Sequence, residues 1–171
     1  MNAIGGAGAP GAEFVIRGAR PEDSARILKF IEKLADYDGE KDQIAATAED
    51  IRESLFGKKQ AEVIFGEENG EPVAFAVYFQ NYSTFLGKAN LYLEDLFVEE
   101  RCRGRGYGKA MLRRLAEIAV RRGFERLDWL CLNSKTGAVG FYERLGAAAF
   151  DDRKLFRLQG DALRALADVR R

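Results

Sequence analysis

The chain has 171 residues, 47% of them apolar and 32% charged, with 27 basic side chains against 27 acidic ones. That is enough for one compact domain with a core, and a net charge of zero gives no whole-chain attraction to nucleic acid or to an anionic membrane. Histidine is absent, which excludes His triads, His metal sites and His general bases and leaves the chemistry to carboxylates, tyrosines, lysines, thiols and backbone groups.

The start, MNAIGGAGAPGAEF, has neither a basic leader nor a long apolar core. It reads as a disordered tail over residues 1–13, followed by a single domain over residues 14–171. FVIR (Phe14–Arg17) is a short strand. Pro21, Glu22 and Asp23 open a helix, because Pro suits the first turn and acids suit the positive end of the dipole. Ile27, Leu28, Ile31, Leu34 and Ala35 repeat at helical spacing until Gly39. A second helix covers Ala48–Phe56 and is closed by Gly57. Strands Ala61–Phe65 and Pro72–Tyr82 form a hairpin around Asn69-Gly70, and Asn90–Val98 is a further strand. After a Gly/Arg loop, Met111, Leu112, Leu115, Ile118 and Ala119 mark the inner face of a helix. Glu125–Leu132 is a strand, TGAVGFYERLGA a short helix stopped by Gly146, KLFRL (Lys154–Leu158) a final strand, and GDALRALADVRR a terminal helix. This order predicts a mixed α/β domain in which an antiparallel meander feeds βα units.

No apolar run approaches the ~18 residues of a membrane span. Cys102 and Cys131 form no CxxC pair, which argues against a disulfide scaffold or a zinc site and for a reducing cytoplasm. Charge is unevenly distributed: Arg101–Arg126 holds nine basic residues and two acidic ones, whereas Asp36–Glu53 holds seven acidic and two basic. One reading is two solvated helix faces; another is a cationic segment for an anionic cofactor and an anionic segment for a cationic substrate.

The stretch YLEDLFVEERCRGRGYGKAM (Tyr92–Met111) carries the strongest signal. Glycines let backbone N–H groups converge on one point, and a helix N-terminus favours an anion, typically phosphate. The loop is no Walker motif, since Gly108-Lys109 is followed by Ala110, and no dinucleotide fingerprint, since Lys109 stands where Gly is needed. A plain Gly-rich turn with surface arginines is the bland alternative. What fits is R-x-x-G-x-G, Arg103 to Gly108, after an acidic-apolar strand and opening a helix.

On that motif the chain resembles the GCN5-related N-acetyltransferases. FVIR, LADYD, FLGKANLYLEDLFV, RGRGYGKAML and FYERLGA are similar, in order and spacing, to their diamine (spermidine/spermine) and thialysine branch, over Phe14–Phe156. The resemblance implies the α/β GNAT fold: a mixed twisted sheet of about seven strands with helices on both faces. It implies acetyl-CoA as cosubstrate, held by the backbone of Leu96, Phe97 and Val98 and by Arg103, Gly104, Arg105, Gly106, Tyr107, Gly108 and Lys109. It implies direct transfer to a primary amine of a small cationic substrate, with no metal, and a cytoplasmic homodimer that binds neither nucleic acid nor membrane.

An amine with a pKa of about 10 needs a proton acceptor or a water relay at neutral pH. A regular strand places Glu94 and Asp95 on opposite faces; one acid pairing structurally and the other reaching solvent is the plain alternative. By resemblance Glu94 is the acid that contacts the amine through water, and Tyr142 is the general acid for the coenzyme A thiolate. Tyr37 and Asp38 fall on substrate positions, Asp38 replacing the Glu of the diamine enzymes. The Trp-Asn pair of that branch is replaced by Ser134-Lys135, so Lys135 is assigned to a phosphate as a point charge, with Asn133 two residues earlier. Two rival functions stand beside this one: a protein or peptide N-acetyltransferase, and a non-catalytic acyl-CoA-binding module.

Overall fold

The computed structural model describes residues 13–167, so the expected tail lies outside the described residues except for Glu13. Glu13 is tied down: it donates its N–H to Asn69 Oδ1 at 3.2 Å and accepts from the Asn69 N–H at 2.9 Å. The described residues divide into two compact units, one ending at Leu130 and the other beginning at Cys131.

The first unit is a five-stranded sheet in chain order. Strands β1 (Phe14–Gly18), β2 (Glu62–Glu68), β3 (Glu71–Ser83) and β4 (Lys88–Val98) run antiparallel, and β5 (Leu127–Trp129) joins β4 in parallel. The expected Asn-Gly turn joins β2 to β3, with Asn69 at φ 52° and Gly70 at φ 81°, the left-handed pair such a hairpin requires.

Helix α1 (Ser24–Asp38) covers one face and ends at Gly39, left-handed at φ 77°. Its buried Ile27 and Phe30 pack on Val63, Phe65, Phe75 and Phe97; the Phe30 ring lies 5.2 Å from Phe75 and 5.6 Å from Phe65. Helix α2 (Ala48–Arg52) is shorter than expected, because Glu53–Gly57 widens into a π turn. Helix α3 (Tyr107–Arg121) covers the other face and buries Tyr107, Met111, Leu112, Leu115, Ile118 and Ala119. The closest approach on that side runs through Gly66: a Cβ there would sit 2.5 Å from the Phe14 ring and 3.2 Å from Met111 Sδ. Phe14 in turn stacks on Tyr107 at 4.0 Å and 7°, which fixes the start of α3 against β1 and β2.

The second unit holds a turn in which Lys135 N–H bonds to Leu132 C=O at 2.9 Å. Helix α4 (Thr136–Arg144) follows, stopped as expected near Gly146 at φ 88°, and then α5 (Gly160–Leu166).

The strand count needs correction. Among the described residues five strands form where about seven were expected, and Glu125–Leu132 is paired only over Leu127–Trp129. Lys154–Leu158 is not a strand, and Phe156 is 87% exposed. Its apolar Leu155, Phe156 and Leu158 supply strand propensity, but a strand persists only where a neighbour takes its N–H and C=O groups, and among the described residues no ladder includes it. Helices on both sheet faces are as expected.

Candidate active site

Strand β4 is irregular where its two acids stand. Val77 pairs with Asp95 and Tyr78 with Leu93, so Glu94 is an extra residue opposite no partner on β3. This is a β-bulge, and it shifts the inside-outside alternation by one residue. Leu93 therefore shares the α3 face with Tyr78, while Asp95 shares the α1 face with Val77 and Phe97; Glu94 between them is exposed.

Asp95 is half-buried, and its carboxyl is pushed up to about 6, first by burial and then by the charges of Glu94 and Asp38. Asp38 and Tyr37 form the last turn of α1. Tyr92, opposite Asp128 on β5, is also raised, by burial and by the charges of Glu94 and Asp128. Carboxylates from three elements thus gather about the bulge in the middle of β4, where burial and mutual repulsion favour an incoming cation.

Beyond this cluster β4 parts from its neighbour. Pairing with β5 ends at Leu93, and among the described residues no strand continues beside Glu94–Val98 on that edge. Glu99 N–H bonds to Val73 C=O at 2.8 Å. Antiparallel alternation then turns the Phe97 backbone groups toward β3 and those of Leu96 and Val98 toward the open edge. Of the three backbone positions expected to hold pantetheine and the thioester oxygen, Leu96 and Val98 face the open edge and Phe97 faces β3, the Val98 carbonyl accepting from Arg103 Nε.

The Gly/Arg loop follows. Gly104 (φ 76°) and Gly106 (φ 84°) are both left-handed, a conformation that costs a side chain dearly. The first ladder bond of α3 runs from Ala110 N–H to Gly106 C=O at 3.0 Å. The N–H groups of Tyr107, Gly108 and Lys109 precede it and are available to an anion by helix geometry. A phosphate-bearing cosubstrate fits this loop.

The three arginines are engaged differently. Arg101 pairs with Glu71 at 3.1 Å, and Arg105 with Glu68 at 2.9 Å. Glu68 also accepts the hydroxyl of buried Tyr107, whose phenol is raised by burial and by this acid. Arg103 points elsewhere: its Nε donates to Val98 C=O at 3.1 Å and its guanidinium lies 4.4 Å from the Tyr37 ring centre.

In the second unit, Tyr142 sits on α4 with its ring 5.3 Å from Phe141. Burial, and after it the charge of Cys131, pushes the phenol up to about 12, so it keeps its proton at neutral pH. Lys135 caps the start of α4, its carbonyl accepting from Ala138 and Val139 at 2.9 and 3.0 Å. Asn133 is exposed in the turn before it.

The structure thus brings Tyr37, Asp38, Glu94, the Leu96–Val98 edge and the 103–109 loop together in one unit, with Tyr142 and Lys135 in the other. Sequence reasoning missed Asp95 and Asp128 as members of the acidic cluster. The only local signal was two adjacent acids in an apolar strand.

The Acetyltransferase (GNAT) family model matches residues 27–147. The chain is 33% identical over 167 residues to the thialysine N-epsilon-acetyltransferase of Bos taurus, covering 90% of this chain and 96% of that protein. It is 41% identical over 92 residues to the L-ornithine N5-acetyltransferase NATA1 of Arabidopsis thaliana, a match that takes in 54% of this chain and 40% of that protein. Among solved structures, an integron cassette protein from the mobile metagenome of V. cholerae superposes with a TM-score of 0.75 at 27% identity, over 91% of this chain and 98% of that one.

Proposed function

The chain belongs to the Acetyltransferase (GNAT) family, and from that premise we propose that it transfers the acetyl group of acetyl-CoA to a primary amine of a small cationic molecule of the diamine, polyamine or thialysine/lysine-like class. The observation that carries the amine class is the crowding of Asp38, Glu94 and Asp95 at the bulge of β4. The relatives named for thialysine and ornithine acetylation support the same class.

Acetyl-CoA supplies the activated thioester. The residues that would hold it are Leu96 and Val98 through their open-edge backbone groups, Gly104–Lys109 through loop and helix N–H groups, and Arg103 and Lys135 through charge. Asp38 and Asp95 draw the ammonium in and desolvate it, and Glu94, exposed beside them, takes its proton through a water. A base is most useful when it is ionised yet close to the working pH, and the raised Asp95 is poised to share that proton. Tyr142, protonated below about 12, gives its proton to the departing thiolate. The chain from Phe14 onward acts as one N-acetyltransferase domain. A cytoplasmic homodimer binding neither nucleic acid nor membrane completes the reading, and sedimentation of the purified chain tests the dimer.

The experiment is a coenzyme A release assay over spermidine, putrescine, ornithine, thialysine, lysine and a short peptide. Turnover on the small cationic amines is expected, with kcat lowered by roughly 10²–10⁴-fold in Tyr142→Phe and Glu94→Gln, the range of a lost general acid or base. Turnover on the peptide alone would move the function to protein acetylation. CoA binding without turnover on any amine would leave a non-catalytic binding module.

A further inference from the structure

The loop arginines diverge. Arg101 and Arg105 reach back to Glu71 and Glu68 at the two sides of the β2–β3 turn, and those carboxylates neutralise them. Arg103, extended at φ −67° and ψ 157° after the Glu100–Cys102 turn, is sent the other way along β4. Its Nε donates to Val98 C=O at 3.1 Å, its guanidinium lies 4.4 Å from the Tyr37 ring and 5.6 Å from the Phe97 ring, and none of these contacts cancels its charge. Phe97 is core and Tyr37 is 48% exposed, so the guanidinium rests on a fixed ring on one hand and on the end of α1 on the other.

A guanidinium has five N–H donors in a rigid fork. With Nε committed to Val98, the four Nη hydrogens remain, in a plane that the aromatic rings and the carbonyl orient together. A flexible arginine must lose rotamer freedom when it grips a phosphate; one already held in place loses less. Tyr37 was expected, by resemblance, to touch the amine, and its ring also lies against an arginine of the phosphate loop. Its neighbour Asp38 acts on Asp95 at the amine end.

We propose that Tyr37 is a positioning residue for the acetyl donor: its ring orients Arg103 toward the cosubstrate phosphates, so the last turn of α1 serves donor and acceptor at once. The proposal rests on the acetyl-CoA reading above. Two consequences follow from the geometry. Donor affinity depends on the ring face at position 37 and not on its hydroxyl, and the dependence disappears when Arg103 is removed.

The test is calorimetric titration of CoA into the wild-type chain and into Tyr37→Phe, Tyr37→Leu, Arg103→Ala and the Tyr37→Leu/Arg103→Ala double variant, with thermal melting of each. Tyr37→Leu is expected to weaken CoA binding by about two- to fivefold, the range of an exposed cation–π contact. Tyr37→Phe should retain wild-type affinity, and in the Arg103→Ala background Tyr37→Leu should have no further effect. Measurable CoA binding that Tyr37→Leu leaves unchanged, or weakens equally in both backgrounds, overturns the coupling alone. A wild-type chain that binds no CoA overturns the acetyl-CoA reading and the coupling with it.

Discussion

The phosphate loop and the acidic bulge of β4 handle charge in opposite ways. In the loop, Arg101 and Arg105 are matched to Glu71 and Glu68, and Arg103 is cradled by two aromatic rings and a carbonyl. At β4, Asp95 is surrounded by like charge from Glu94 and Asp38 and is pushed up to about 6. The loop's cations are held by partners within their own unit, whereas the acids at the bulge raise one another's affinity for a proton or a cation. That difference fits a pair of ligands of which one is a fixed, shared cosubstrate and the other a small amine that is captured mainly by charge.

The contrast can be broken most forcefully at Asp95. Removing its charge with Asp95→Asn is expected to lower kcat/KM for a diamine by roughly tenfold or more, as loss of a buried ion-pair partner does. It should also abolish an acid limb near pH 6 in the wild-type profile, measured by initial rates from pH 5 to 8. The stability effect has the opposite sign. A carboxyl raised above its unfolded value of about 3.9 binds extra protons in the folded state, so wild-type stability falls as pH rises from about 4 to 6, by on the order of 2–3 kcal/mol. Urea unfolding across that range should show the slope in the wild type and a flatter line in Asp95→Asn.

The loop side is probed by Gly66→Ala. Its added methyl meets Phe14 at 2.5 Å, and Phe14 is pinned against Tyr107, so overpacking should cost about 1–3 kcal/mol by thermal denaturation. If the loop is organised through that stack, CoA affinity drops with it while the amine KM is unmoved. The smallest effect is expected at Glu71. Its pair with Arg101 is solvent-exposed on both sides, so Glu71→Gln should change stability by less than about 1 kcal/mol, and high salt should erase the difference.

Much of the fold was legible because its signals are periodic. The spacing of Ile27, Ile31 and Leu34 in α1, and of Met111, Leu115 and Ile118 in α3, reports which face is buried without reference to any partner. The Asn69-Gly70 turn carries its own backbone preference. Lys154–Leu158 has a strand's pattern but no ladder, and sequence reports the propensity alone. The site divides in the same way. The loop glycines announce a left-handed turn at a helix start, but the arginines' partners lie 30 to 37 residues away for Arg101 and Arg105, and Arg103 meets a ring on α1; no local pattern encodes these contacts. The bulge was hidden too, since it exists only in the register between Val77/Tyr78 and Leu93/Asp95.

That bulge has a consequence for how the protein can change. A bulged residue is surplus to the ladder: Glu94 neither fills the core nor pairs across the sheet, while it resets the phase so that Leu93 and Phe97 each reach their own hydrophobic layer. Position 94 is therefore where side-chain chemistry can vary at little expense to folding. Even its deletion would leave Leu93 opposite Tyr78 and Asp95 opposite Val77 in an unbroken ladder, so every side chain would keep its layer and the loss would be the acid and the local kink.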